Sequence, residues 1–414
     1  RDENTAQLKA LVGNVFFLKI ILAAVAYAVM AGLVFLLPYD AVSRQAVLII
    51  GIAACLGSLT LTGGMVFQGF EEMVTPNIAL ILEKALTTGG AAYLLLQGHS
   101  VLPICWIYVA AAAANFVITM VFLQKRLRFR PLCDKQTIRH VLIGGLPFLV
   151  WVVFGEIYIR IDVVMLSLMT EEAVVGWYGA AFRIYSTLLF VPHVLNTAIF
   201  PALARLGADS EEGDAFSSAS DRLMNLLLFA AVPIGAGTIA VAQPLAQLLY
   251  GTGPFLNAVP SLQIFGISIV LVCIDVMLGS ILIARGLEKK WACMAVAAAF
   301  FNPLLNLWMI PLSQSWWGNG GIGAAVATLL TEALMLAGAL KLLPAGILTK
   351  QAVFTAIKAV AAAGVMLTVL KVSNISNLAA IVIVGAVVYL SLALIIRVLP
   401  TRDIHHLWHA LRHR

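Results

Sequence analysis

The sequence predicts an all-α fold, a polytopic membrane helix bundle with twelve transmembrane helices. Three observations carry that expectation. Of the 414 residues, 62% are hydrophobic and 11% charged, where a soluble domain has about 25% charged residues; mean hydropathy is +0.99. Too little polar surface remains to coat a soluble globule. The apolar residues gather into runs long enough for the roughly 20 residues that cross a bilayer's hydrocarbon core. Lysine and arginine collect on one side once those runs alternate across a membrane. Lipid offers backbone groups no water, so spans must be helices or a closed barrel, and these runs are far too long for barrel strands.

The first span covers about Val12–Leu37 and the second about Gln45–Phe67. The third covers about Val74–Leu96 and the fourth about Leu102–Leu123. The fifth and sixth, about Leu142–Met169 and Val174–Leu203, form a hairpin with a short polar tip. Then follow Leu223–Leu249, Leu262–Ala284, Trp291–Pro311, Gly323–Leu342, Gln351–Leu370 and Leu378–Ile396. With the N-terminus in the cytoplasm, inside segments hold nineteen of the 26 lysines and arginines. Outside segments hold Arg44 and Lys371 only, and Lys19, Lys84, Arg160, Arg183 and Lys358 lie within spans. A missed span would invert the asymmetry downstream of it, and no inversion occurs. Both chain ends are therefore placed in the cytoplasm.

The loops are short except for two, both cytoplasmic. Gln124–His140 is strongly basic and is the best place for a boundary between two bundles; its simplest role is orientation and contact with anionic lipid. Gly207–Asp221 is acidic and serine-rich, and reads as a mobile solvated connector. The tail, 398–414, places Ile404, Leu407, Trp408 and Leu411 on one face of an amphipathic helix suited to the inner interface. His405, His409 and His413 recur every four residues but have no acidic or thiol partner, so no metal site is expected. Trp106, Trp177, Trp316 and Trp317 lie at outer span ends, as interfacial anchors do. The five cysteines are odd in number and lack ligand spacing, and read as small apolar residues. No basic stripe lies outside the spans and their flanks, so no nucleic-acid partner is expected. The chain opens at Arg1 rather than at a methionine, so sequence upstream is expected.

The stretch Ile138 to Leu206 carries charge where charge is expensive. Glu156 and Arg160 are four apart with the acid N-terminal, and can pair along one helix face. Tyr158 and Asp162 fall on another face. Asp162 and Arg183 are equidistant from the hairpin tip, and are expected to meet across it. Mutual neutralisation would only fix helix register. The functional reading leaves Arg160 or Arg183 with spare donors facing water, where a guanidinium grips a phosphate bidentately. Asp275 and Glu332 have no basic neighbour within a turn, so either can bind H⁺ or Na⁺ unless a partner on another helix takes it. His193 beside Pro192 reads as a packing residue at a proline bend, and Asn302 and Asn306 as bonding to neighbouring helices. A short likeness between Gln68-Gly69-Phe70-Glu71 and Arg285-Gly286-Leu287-Glu288 fits two duplicated bundles. There is no Walker A loop, nucleophile elbow or zinc-protease motif, so the chain reads as a non-enzyme without cofactors.

Several stretches resemble one family. They are GLPF at Gly145–Phe148, IYIRIDVVML at Ile157–Leu166 and VGWYGAAFRI at Val175–Ile184. FVPHVLNTAIFPALARL at Phe190–Leu206, FQGFE at Phe67–Glu71, LLYG at Leu248–Gly251, LQIFG at Leu262–Gly266 and GIGAAVATLLTE at Gly321–Glu332 complete them. In order and on these spans, they resemble the bacterial polysaccharide and O-antigen flippases of the oligosaccharidyl-lipid/polysaccharide/multidrug exporter superfamily. The resemblance implies a fourteen-helix fold: two six-helix lobes around a central cavity, then two further helices. This chain would carry helices 3–14 of it: an incomplete first lobe over 1–125, a six-helix second lobe over 138–343, and the additional pair over 351–397.

The resemblance further implies a function in surface-polysaccharide biosynthesis. An oligosaccharide linked through pyrophosphate to a polyprenyl lipid would pass from the inner to the outer leaflet of the bacterial plasma membrane by alternating access. Arg160, Arg183, Lys19 and Lys84 are the expected head-group ligands, and Asp275, Glu332, Glu156 and Asp162 the expected ion-coupling residues. Expected partners are the lipid-linked oligosaccharide, membrane lipids, H⁺ or Na⁺, and a polysaccharide polymerase. The alternative is a cation-coupled antiporter of the multidrug and toxin extrusion type; a third possibility is a non-transporting membrane scaffold.

Overall fold

A computed structural model gives the architecture. The described residues are 2–70, 72, 74–194, 196, 200, 203, 205, 213–343, 350–373, 375 and 377–398. The tail 399–414 and residues 207–212 of the acidic segment lie outside them, as does Glu71.

Among the described residues the chain's named α-helices are α1 (Asp2–Leu36), α2 (Ala41–Gly69), α3 (Val74–Leu96), α4 (Val101–Leu127), α5 (Lys135–Met169) and α6 (Glu172–Leu188), followed by α7 (Gly213–Tyr250), α8 (Val259–Ala284), α9 (Glu288–Trp317), α10 (Gly320–Leu342), α11 (Lys350–Val372) and α12 (Leu378–Ile395). A 3₁₀ turn, Pro254–Ala258, leads into α8. Eleven helices among the described residues are long and apolar enough to cross a membrane; with α5, of 35 residues, they follow the twelve expected spans in order. The chain is a multi-pass membrane protein.

Helix ends follow local chemistry. Asp40 accepts from the N–H groups of Val42 and Ser43, each at 3.0 Å, and opens α2. The Ser43 hydroxyl, with these two backbone bonds, holds its carboxyl below the ordinary carboxylate range. Asn377 caps α12 through Ala380 N–H at 3.1 Å. Gly318 closes α9 at φ +63°, a backbone that a side chain would strain. The regular run of α6 ends at Leu188, four residues before Pro192. The proline ring has no N–H for the Leu188 carbonyl and crowds it. The helix resumes through Phe190–Val194, which is the expected proline bend.

The chain divides into two compact units, Arg1–Val150 and Trp151–Arg414. In the first, α1 packs on α2, α2 on α4 and α3 on α4. Val12, Phe16, Phe67, Leu123, Leu127 and Phe129 form its core. The basic segment after α4 is strapped to α1: Phe129 stacks on Phe16 with centroids 5.0 Å apart, and Asn14 Oδ1 accepts from Asp134 N–H at 2.6 Å. In the second unit the same order recurs, α7 on α8, α8 on α10 and α9 on α10, as duplicated bundles would give. The turns after α2 and α8 also close alike, by Glu72 N–H to Phe67 O at 3.0 Å and Leu287 N–H to Leu282 O at 2.9 Å. Those bonds lie two residues out of step with the short sequence likeness, so the turns match in geometry but not in that register.

α7 and α8 meet backbone to backbone. A Cβ on Gly235 would lie 2.3 Å from the Gly266 carbonyl oxygen, so the small residue permits the crossing. α11 and α12 pack on α7 through Ala359, Ala362, Met366 and Tyr389. The expected mobile connector is helical from Gly213 onward, as the first turns of α7. Phe216 is fully buried there, with the Arg285 guanidinium 4.0 Å from its ring centroid.

Candidate functional site

The buried polar residues of the second unit gather where α5, α6, α8, α9 and α10 converge. α5 has two faces set by its four-residue spacing. Tyr158 and Asp162 turn into the unit, and Glu156 and Arg160 turn out. Asp162 is 3% exposed. Its Oδ2 accepts from Tyr178 O–H at 2.8 Å and from Thr328 O–H at 2.7 Å. Its Oδ1 accepts from Asn306 Nδ2 at 2.6 Å, and the same amide donates to Asn302 Oδ1 at 2.9 Å. Asn306 therefore bonds to a neighbouring helix, as expected, while the Asn302 bond runs along its own helix. Asn306 Oδ1 has no hydrogen-bond partner among the described residues.

One turn away on α10, Glu332 accepts from Tyr158 O–H at 2.6 Å. Asp275 on α8 faces Glu332 closely enough for their charges to interact. Neither oxygen of Asp275 has a hydrogen-bond partner among the described residues, although the residue is only 5% exposed. Glu332 is 8% exposed. Among the described residues, no lysine, arginine or histidine forms an ion pair with either acid; the titratable groups that act on the pair include Tyr158, Asp162 and Tyr185. Among the described residues, no group of three or more His, Cys, Asp or Glu side chains is placed to hold a metal ion.

The expected Asp162–Arg183 pair does not form. Equal distance from a hairpin tip fixes depth, but the direction of a side chain depends on which stripe the helix buries. In α6 that stripe is Val174, Tyr178, Ala181 and Tyr185, so Tyr178 takes the place facing Asp162. Arg183 is exposed and has no ion pair among the described residues. The Glu156–Arg160 pair does form, with Arg160 Nε donating to Glu156 Oε2 at 2.6 Å. Its side chains are 56% and 71% exposed, so spare guanidinium donors remain open.

The first unit holds its own polar chain. Lys84 donates to Glu83 Oε1 at 2.9 Å, Asn115 to Glu83 Oε2 at 2.6 Å, and Thr119 O–H to Asn115 Oδ1 at 3.2 Å. Lys19 is half-buried on α1. The structure thus brings Asp162, Asp275 and Glu332 into one polar cluster and leaves Glu156, Arg160 and Arg183 outside it. Sequence reasoning missed Tyr178 as the Asp162 partner. The signal was available in its apolar neighbours at helical spacing.

A bundle of membrane-length helices that buries carboxyl groups in a polar core is a polytopic integral membrane protein. Residues 1–207 match the model of the polysaccharide biosynthesis protein family, and the chain belongs to that family. Among curated proteins it is 26% identical, over 215 residues, to "Probable flippase AglR" of Haloferax volcanii. That match takes in 51% of this chain and 44% of the relative, so the chain spans less than half of that protein's length. Among solved structures it is similar to the lipid II flippase MurJ in an inward closed conformation. The TM-score is 0.74 at 14% identity, over 96% of this chain and 84% of that one. It is also similar to an inward-facing multidrug resistance MATE family transporter of the MOP superfamily, with TM-score 0.58 at 12% identity, over 81% and 82%. At such identities these structures share the fold alone.

Proposed function

We propose that the chain is a flippase that carries a polyprenyl-pyrophosphate-linked oligosaccharide from the inner to the outer leaflet of a bacterial plasma membrane by alternating access, without catalysing a reaction. Family membership and the flippase among its relatives support this reading. The observation that carries it in the chain's own residues is Arg183. A guanidinium in a span costs several kcal/mol against lipid, and this one has no carboxylate partner among the described residues. Water and a phosphate-bearing head group meet that need. Arg160 adds its open donors, and Lys19 and Lys84 are the further proposed head-group ligands. Asp275, Glu332, Glu156 and Asp162 are the proposed coupling residues for H⁺ or Na⁺, and a polysaccharide polymerase is the proposed partner downstream.

The second reading is a cation-coupled drug antiporter, favoured by the buried acids of the second unit. Those acids lie inside the unit and the arginines lie on its surface, which suits an anionic passenger better than a cationic one. The test is in cells: a strain lacking its own exporter regains surface polysaccharide when the full-length protein is expressed. Restored drug efflux without restored polysaccharide would establish the second reading instead.

A further inference from the structure

We propose that Asp275, Glu332 and the Tyr158 hydroxyl form a proton-binding site inside the second unit, in which the two carboxyl groups hold one exchangeable proton between them. This names the ion for part of the coupling set; its use in transport rests on the exporter reading, but its existence does not.

Three features of the geometry carry the proposal. The first is the orphaned state of Asp275: a buried carboxyl group with two unbonded oxygens, facing a second carboxyl group, is one donor short. A proton on either acid supplies that donor, letting one carboxyl group give a hydrogen bond to the other. Secondly, among the described residues no base pairs with either acid to neutralise two negative charges. The titratable groups acting on the cluster are Tyr158 and Asp162 from α5, Tyr185 from α6 and Cys273 from α8, besides the pair itself. Two adjacent carboxylates without a cation repel, and one proton removes the repulsion. Thirdly, the surroundings do not suit a metal ion. Hard cations collect about six or more oxygens, and among the described residues no group of three or more His, Cys, Asp or Glu side chains is placed to hold a metal ion. Tyr158 O–H, donating to Glu332, fixes which oxygen of that acid is taken and leaves the other for the shared proton.

The site is tested on the full-length protein in lipid nanodiscs without any glycan lipid. Dicyclohexylcarbodiimide reacts with protonated carboxyl groups in apolar surroundings, and peptide mass spectrometry locates the adduct. The expected result is an adduct on Asp275 or Glu332 whose formation falls about tenfold per pH unit once the proton is lost, and which Na⁺ does not protect. Infrared difference spectra of the same sample should show one protonated-carboxyl band that titrates in parallel and is absent from Asp275→Asn and Glu332→Gln. Tyr158→Phe should keep the band and move its titration point. The proposal is overturned if neither acid is labelled and no such band titrates, or if Na⁺ rather than pH governs the labelling. Either failure would leave the transport reading standing, because no step of this assay uses the passenger.

Discussion

Asp162 and Tyr178 stand on consecutive helices, and the tyrosine hydroxyl donates to the Asp162 carboxyl at 2.8 Å. That bond, with those from Thr328 and Asn306, satisfies a buried acid with neutral donors only. It frees Arg183 from structural service. Tyr178 is itself fully buried against Phe265, with ring centroids 5.6 Å apart, so the acid is held by a side chain that has no other place to go.

Removing the hydroxyl should therefore cost stability where removing the arginine does not. Tyr178→Phe leaves a buried acceptor short of one donor, and is expected to destabilise the protein by about 1–3 kcal/mol. Arg183→Gln is expected to stay within about 0.5 kcal/mol of the parent. Denaturant unfolding in mixed micelles measures both, and a larger loss for the arginine variant would mean that it pairs after all.

The α7–α8 crossing should reject a methyl group at one glycine and accept it two residues on. Gly235→Ala puts a Cβ against the Gly266 carbonyl oxygen, and overpacking of this kind costs about 1–3 kcal/mol. Gly237 has no neighbour within 4 Å of the added carbon, so Gly237→Ala should be neutral or mildly stabilising. Thermal unfolding of the two variants side by side gives the comparison.

The start of α5 should loosen in acid. Asp134 accepts from the hydroxyl and the N–H of Thr137, and these bonds hold its carboxyl below the ordinary carboxylate range. A lowered folded value means that the cap stabilises the helix above the ordinary carboxylate pKa, about 3.9. The contribution disappears as pH falls through the still lower folded value. Hydrogen exchange of the first turn of α5, followed down in pH, should accelerate in the parent. In Asp134→Ala it should already be fast at neutral pH and show no such step.

The helices were legible because lipid demands long uninterrupted apolar runs, and their order in the chain followed. The two faces of α5 were legible as well: Glu156 with Arg160, and Tyr158 with Asp162, come from four-residue spacing alone. The partner of Asp162 was not found, because hairpin symmetry gives depth and says nothing of rotation. The stripe of Val174, Tyr178, Ala181 and Tyr185 would have supplied the rotation. The approach of Asp275 to Glu332 joins α8 to α10 across the intervening α9, and local spacing holds no record of such a contact. The helical start of α7 was misread because its acidic, serine-rich composition outweighed Phe216, whose burial under Arg285 is a long-range contact.

The most direct measurement reconstitutes the full-length protein into liposomes carrying a polyprenyl-pyrophosphate oligosaccharide in one leaflet, and follows the sugar's appearance in the other with an impermeant lectin or glycosidase. The expected result is transfer by the parent, loss of most transfer in Arg183→Gln, and unfolding profiles that coincide for the two. Transfer that proceeds unchanged without Arg183, or a parent protein that moves no lipid-linked sugar at all, would contradict the proposed role.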